Sequence, residues 1–373
     1  MNRACHTFFT TLHTQNRHAT SIQPMKDTPK RMKRFNIAIL TLSIILLITN
    51  NSCQPKRNKQ AASDKVQEKT KVKIHIDRLE KDLFAVSPDS IPQAIPGLKA
   101  KYGEFFDIFN YVLKLGHWDT PKYPESLKKF VTDYFENLSY NKVIQAYPNI
   151  DSITRDFEEA FTTYKAYFPN KRVPRIFTWI SGWNQPIVTS DTIIGISLDM
   201  FLGRNCEFYY KLQLPQYIHY TYERKYIIPD CMKMWGKAEF DFKDSATDMI
   251  SKMLYEAKIQ YFVKKILPNT PDSLLYGFSP GQLTWCVNNK KEMWTYLVEH
   301  KMFFTTDLMT IRKLTDPAPF TIYFTKESPG RAAVWLGQKI VDAYMKNNPD
   351  VSLAQLMLDG DYQKILRKSN FKP

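Results

Sequence analysis

Residues 175–198 read RIFTWISGWNQPIVTSDTIIGISL, and this stretch decides the fold because the period of its apolar residues changes here. Ile176, Thr178 and Ile180 occupy alternate positions, and Ile187–Thr189 and Thr192–Ile196 are rich in β-branched residues, the pattern of strands. Ser190-Asp191 supplies a turn between the last two. The spacing predicts three strands of a small antiparallel meander. Upstream, Val72, Ile74 and Ile76 alternate with polar residues as a further short strand.

Elsewhere the period is helical. Lys101–Leu115, Glu125–Leu138 and Asp151–Phe168 carry apolar residues three and four apart, and Ile153, Phe157, Phe161, Tyr164 and Phe168 form the clearest stripe. Everything after Asp199 reads as helix, including Asp244–Lys265. Ser279-Pro280-Gly281-Gln282 is a capping box with proline at the first helical position, opening a helix to about His300 with Leu283, Val287, Trp294 and Leu297 buried. Ser328-Pro329 repeats the opening for a helix over 329–346, whose first half, Ala332 to Leu336, is apolar nearly all round and belongs in a core. The predicted class is α+β, a mainly helical domain around a small antiparallel sheet.

The N-terminal region has a different logic. Residues 32–53, MKRFNIAILTLSIILLITNNSC, place Lys33 and Arg34 before a 12-residue apolar run, Ile37 to Ile48, and then Ser52 before Cys53. That is the order of a secretory signal, and the run is short of the ~20 residues a spanning helix needs. A cysteine after the small residue is the lipid acceptor of a bacterial lipoprotein; an ordinary signal peptide or an uncleaved anchor is the other reading. Residues 1–31 are expected to be an over-extended start, 32–52 the signal peptide, 53–71 a flexible tether without periodicity, and 72–373 the globular domain. Gln54 after the acceptor favours the outer membrane over the inner, and Pro55-Lys56-Arg57 lacks an acidic surface-export cluster, so the domain is expected to face the periplasm.

The net charge of +15 invites a nucleic-acid reading, but its distribution excludes one. Residues 1–52 contribute +6, residues 53–73 contribute +5, and the remaining 300 residues only +4. Basicity therefore sits in the export signal and tether rather than on a folded binding face. The tether's lysines suit an anionic lipid surface. No GxGxxG or GxxxxGK[ST] occurs among the 12 glycines, so nucleotide-cradling turns are missing and no cofactor is implied.

Catalytic motifs are equally sparse. His75, His117, His219 and His300 lie far apart, no HExxH, CxxC or GxSxG occurs, and Ser181 before Gly182 reads as a strand-end turn. Cys206, Cys231 and Cys286 are either three buried thiols or a Cys206–Cys231 bridge plus one. Two carboxylates stand out. Asp230 follows Pro229 in the first turn of a helix, where the dipole favours it. Glu256 lies in line with Met249, Met253, Ile259 and Val263 at the margin of an apolar stripe, so it needs a cationic partner, with Arg331 one candidate.

Several blocks resemble the gliding-motility lipoprotein GldB family. They are Ile196 to Gly203 (ISLDMFLG), Tyr226 to Asp230 (YIIPD), Gln282 to Cys286 (QLTWC), Asp316 to Phe320 (DPAPF), Glu327 to Arg331 (ESPGR), Trp335-Leu336-Gly337, and Ile340 to Lys346 (IVDAYMK). They occur in the family's order across roughly residues 72–373. The resemblance implies a lipid-anchored, non-enzymatic envelope protein whose partners are proteins of the gliding and protein-secretion machinery. The order of meander, helix, carboxylate-bearing helix and late Trp-rich helix is also similar to zincin-like metallopeptidases. Laid on HExxH, Pro229 to Lys233 would put Asp230 at the general base and Glu256 at the third ligand. Pro229 and Lys233 would then replace both histidines, leaving a degenerate, metal-free groove of Asp230, Lys233, Glu256 and Arg331. A periplasmic zincin-like hydrolase with an atypical acidic site is the alternative.

Overall fold

The period change at residues 175–198 builds three of four strands: β2 (Arg175–Trp179), β3 (Ile187–Thr189) and β4 (Ile193–Ser197), joined by β1 (Ile76–Arg78), which shares only Ile76 with the strand expected from Val72 to Ile76. The computed structural model describes residues 70–242 and 247–373, all within the unit Asn58–Pro373. The signal segment, Cys53 and the tether up to residue 69 lie outside the described residues.

The sheet is mixed, with strand order β1-β2-β4-β3. β1 pairs parallel to β2 with Ile76 opposite Ile176, and β2 parallel to β4 with Ile176 opposite Ile194. Only β3–β4 is antiparallel, with Ile187 opposite Ile196. The antiparallel meander is thus corrected to one hairpin beside a parallel pair. The reason is burial on both faces. Every residue of β4 is buried, and such a strand belongs at the centre of a covered sheet, whereas half-buried β3 suits the edge.

Side chains alternate between two helical layers. Ile176, Ile194 and Ile196 enter a core shared with the Phe157–Phe161 stripe, while Phe177, Trp179 and Ile193 enter a second core with Phe105, Phe106 and Phe109. Phe105 stacks on Phe177 with ring centroids 4.4 Å apart, and its ring lies where a side chain on Gly195 would point. The α+β class, mainly helical, is as expected.

Helix bounds differ where a local signal had two meanings. The Glu256 helix spans Met249–Ile266, starting behind Asp248, whose side chain accepts from Ser251 N. The Ser279–Gln282 capping box is present, but its helix ends at Asn288 and a second spans Lys290–Glu299. The break turns Val287 outward, leaving it 63% exposed, and buries Cys286, Met293 and Leu297. The last long helix begins at Ala332 rather than Pro329 and spans Ala332–Asn347. Ser328 bonds instead within its own turn, donating to Thr325 O at 2.6 Å.

The ISLDMFLG block has a structural task. Asp199 is fully buried and accepts from Ser181 N (3.3 Å), Trp183 N (2.8 Å) and the Ser197 hydroxyl, locking the turn after β2 to the end of β4. Ser181 Oγ accepts from Asn184 N and Gln185 N, the turn role expected of it. Gly182 in that turn has φ +62°, and an added Cβ would lie 2.5 Å from Glu136 Oε1. Glu136 is held there without compensation: its Oε2 is buried with no hydrogen-bond partner among the described residues. Burial, then the charges of Asp199 and Asp133, push its carboxyl up to about 8.

An acid whose folded-state value is raised stabilises least when ionised, so stability falls as pH rises from the ordinary carboxyl range towards 8. Glu136→Gln is therefore expected to add roughly 1–4 kcal/mol to the unfolding free energy at pH 9 and almost nothing at pH 4. Urea unfolding at the two pH values checks this; equal gains at both would refute it.

Candidate functional site

The helix Met249–Ile266 is buried on nearly every side, yet carries Glu256, Lys258 and Gln260. Glu256 and Gln260, one turn apart, share a face. Lys258 points elsewhere and donates to Met357 O (3.0 Å) and Asp359 O (2.7 Å) at the end of the helix Leu353–Leu358. The Glu256–Gln260 face borders a cavity of about 830 Å³, within the range of clefts that take small ligands.

The helix Ile227–Glu239 supplies Asp230, Lys233 and Lys237 to the same cavity, and Arg331 enters from the turn before Ala332. Asp230 lies in the first helical turn as expected, and its carboxylate bonds Lys233 Nζ at 2.8 Å. Glu256 pairs with Lys237 (2.8 Å) and Lys252 (3.0 Å). The expected Glu256–Arg331 pair is corrected accordingly, because Lys252, one turn earlier on the same helix, and Lys237 from the helix Ile227–Glu239 already saturate the carboxylate. Burial alone would raise the Glu256 carboxyl, but the two lysines outweigh it and hold it below the usual range. Lys233 shifts down through burial, against the pull of Asp230 and helped by the charge of Arg331.

Arg331 is placed by backbone strain. It has φ +52°, a left-handed conformation that non-glycine residues rarely adopt. Beside it, Gly330 approaches Ala318 so closely that a Cβ would fall 2.1 Å from the Ala318 carbonyl oxygen. Buried Thr321 fastens the turn, donating to Pro329 O (2.8 Å) and accepting from Ala332 N (2.9 Å). The guanidinium then donates to neutral acceptors, Tyr276 O at 3.4 Å and, with the Gln260 amide turned to satisfy both neighbours, Gln260 Oε1 at 3.0 Å. No carboxylate lies within ion-pair distance of it among the described residues.

All four predicted groove residues thus line one cavity, and five blocks that carry the family resemblance converge on it: Phe201, Asp230, Gln282, Pro317 to Pro319, and Pro329 to Arg331. The wall of Tyr217, Tyr220, Tyr222 and Tyr276 escaped sequence reasoning, since scattered tyrosines have no motif. Among the described residues no group of three His, Cys, Asp or Glu side chains is arranged to hold a metal. His219 is buried outside this cavity's lining, with Nδ1 2.8 Å from Arg204 O. Cys206, Cys231 and Cys286 are free thiols, which settles the open pairing. No helix among the described residues is long and apolar enough to cross a membrane.

Fold and cavity together define a mainly helical α+β domain with a charged, aromatic-walled pocket whose acids are neutralised by lysines. The chain belongs to the gliding motility protein GldB family, whose model matches residues 59–373. Membership associates it with gliding motility. No curated protein and no solved structure matches it.

Because its folded-state value is depressed, Glu256 contributes stability above the ordinary carboxyl range, and that contribution is lost as pH falls through the lower value. Glu256→Gln should thus cost roughly 1–3 kcal/mol at pH 7 and become nearly neutral at pH 3. Thermal or urea unfolding tests it, and an undiminished penalty in acid would count against the double lysine clamp.

Proposed function

We propose that this chain is a lipid-anchored cell-envelope protein of the gliding motility apparatus and its associated secretion machinery, acting by binding partner proteins rather than by catalysis. The observation that carries the reading is the family match over residues 59–373, beginning just beyond Cys53. Lys33 and Arg34, the short apolar run and Ser52-Cys53 support acylation at Cys53, and the basic tether supports a position close to an anionic lipid surface. Gln54 favours the outer membrane, with the domain in the periplasm. Against a hydrolase, Asp230 and Glu256 are each tied to lysines, and Glu256, held below its usual range by two of them, is a poor proton donor at neutral pH.

Mass spectrometry of the mature N-terminus is expected to find acyl chains on Cys53. Cys53→Ala should release the protein from the membrane fraction and abolish its in-cell phenotype, while Asp230→Ala with Glu256→Ala should leave membrane association intact. An unacylated Cys53 removes the basis for the anchor.

A further inference from the structure

Three cations, Lys233, Lys237 and Arg331, line the cavity with two carboxylates, Asp230 and Glu256, an excess of one positive charge in the lining. Lys233 is matched by Asp230 and Lys237 by Glu256, which Lys252 also contacts from outside the lining, whereas Arg331 bonds only a backbone carbonyl and a side-chain amide. Both contacts use Nη2, so Nε and Nη1 have no hydrogen-bond partner among the described residues. A guanidinium with free donors in a confined pocket selects a planar anion, and a single surplus charge matches a monoanionic carboxylate better than a dianionic phosphate.

The rest of the cavity indicates what carries that carboxylate. About 830 Å³ far exceeds one carboxylate, so the ligand has a body. Its walls are rings and apolar faces with polar edges, among them Tyr217, Tyr220, Tyr222, Phe278 and Pro319. Gln216 and Gln282 add amide donors and acceptors that suit peptide groups. The strained turn at Arg331 is clamped by Gly330 against Ala318 and by Thr321, so the cation is positioned before any ligand arrives.

We propose that this cavity receives a carboxylate-bearing peptide segment, with Arg331 binding the carboxylate and the tyrosine-rich wall packing on the neighbouring residues. The proposal deepens the non-enzymatic binding reading and rests on it, but it is independent of the lipid anchor. The carboxylate comes either from a chain terminus or from an acidic side chain, and the test separates the two.

The full-length chain, purified in detergent, is immobilised and challenged with two pools of N-acetylated random pentapeptides, one of free acids and one of C-terminal amides, with mass-spectrometric readout. The expected result is enrichment of carboxylate-bearing peptides with aromatic or apolar neighbours. Free acids enriched regardless of composition identify a chain terminus; amides enriched only when they contain Glu or Asp identify a side chain. Arg331→Gln should reduce retention about ten-fold or more and Arg331→Lys should recover part of it, as loss of a charge-assisted bond requires. Unfolding curves for both variants should match the parent, and if Arg331→Gln unfolds, the Arg331→Lys comparison decides. No preference for carboxylates, or retention indifferent to Arg331, overturns the proposal alone. Cleaved peptides in the eluate would instead overturn the non-enzymatic reading.

Discussion

The domain is organised around one demanding element, a helix of 18 residues sunk in the core with three strongly polar side chains in its middle. Each of these must find a partner where water does not reach, because an unpaired buried charge costs several kcal/mol. Lys258 finds two backbone carbonyls on one side. Glu256 and Gln260, on another, require cations and an amide partner, and those come from the Ile227–Glu239 helix, from Lys252 and from the turn before Ala332. The polar cavity is thus the place where the buried helix meets its electrostatic obligations. Gly337 completes the arrangement by letting the Ala332–Asn347 helix approach Met253 closely: a Cβ there would lie 2.9 Å from Met253 Cγ.

Family blocks divide by what they do in this frame. Ser197 and Asp199 are internal, closing the turn of Ser181 to Trp183 against the end of β4. Gly330 and Ser328 hold a tight turn whose product is the position of Arg331. Asp230, Gln282 and Pro317 to Pro319 face the cavity directly. The first two sets hold geometry rigid, and the third presents chemistry to it.

How much of this was legible follows from which signals are local. The stripe Ile153, Phe157, Phe161 and Tyr164 is fully buried because three- and four-residue spacing specifies a helix face by itself. The Ser279–Gln282 box was equally readable, since both of its hydrogen bonds lie within four residues. Strand order was not: alternation marks a strand but not its neighbours, and the parallel β2–β4 pair depends on cores built from helices far along the chain. Ser328-Pro329 misled because Ser-Pro opens helices and turns alike, and only Thr321, seven residues upstream, decides which. The residues of the groove were found, but their pairing was not, because Lys237 reaches Glu256 from another helix.

These pairings also bear on what kind of surface the cavity offers. A reacting site holds a proton donor or acceptor poised near neutrality, which calls for groups whose environments drive their affinities towards that point. Here both carboxylates are paired with ammonium groups at 2.8–3.0 Å, and Lys237 and Lys252 hold the Glu256 carboxyl below its usual range. The Arg331 guanidinium offers hydrogen-bond donors and no acceptor. The charges of the pocket are mostly paired internally, Lys233 with Asp230 and both Lys237 and Lys252 with Glu256. What the pocket leaves without a carboxylate among the described residues is the guanidinium of Arg331, which bonds neutral acceptors beside the tyrosine wall.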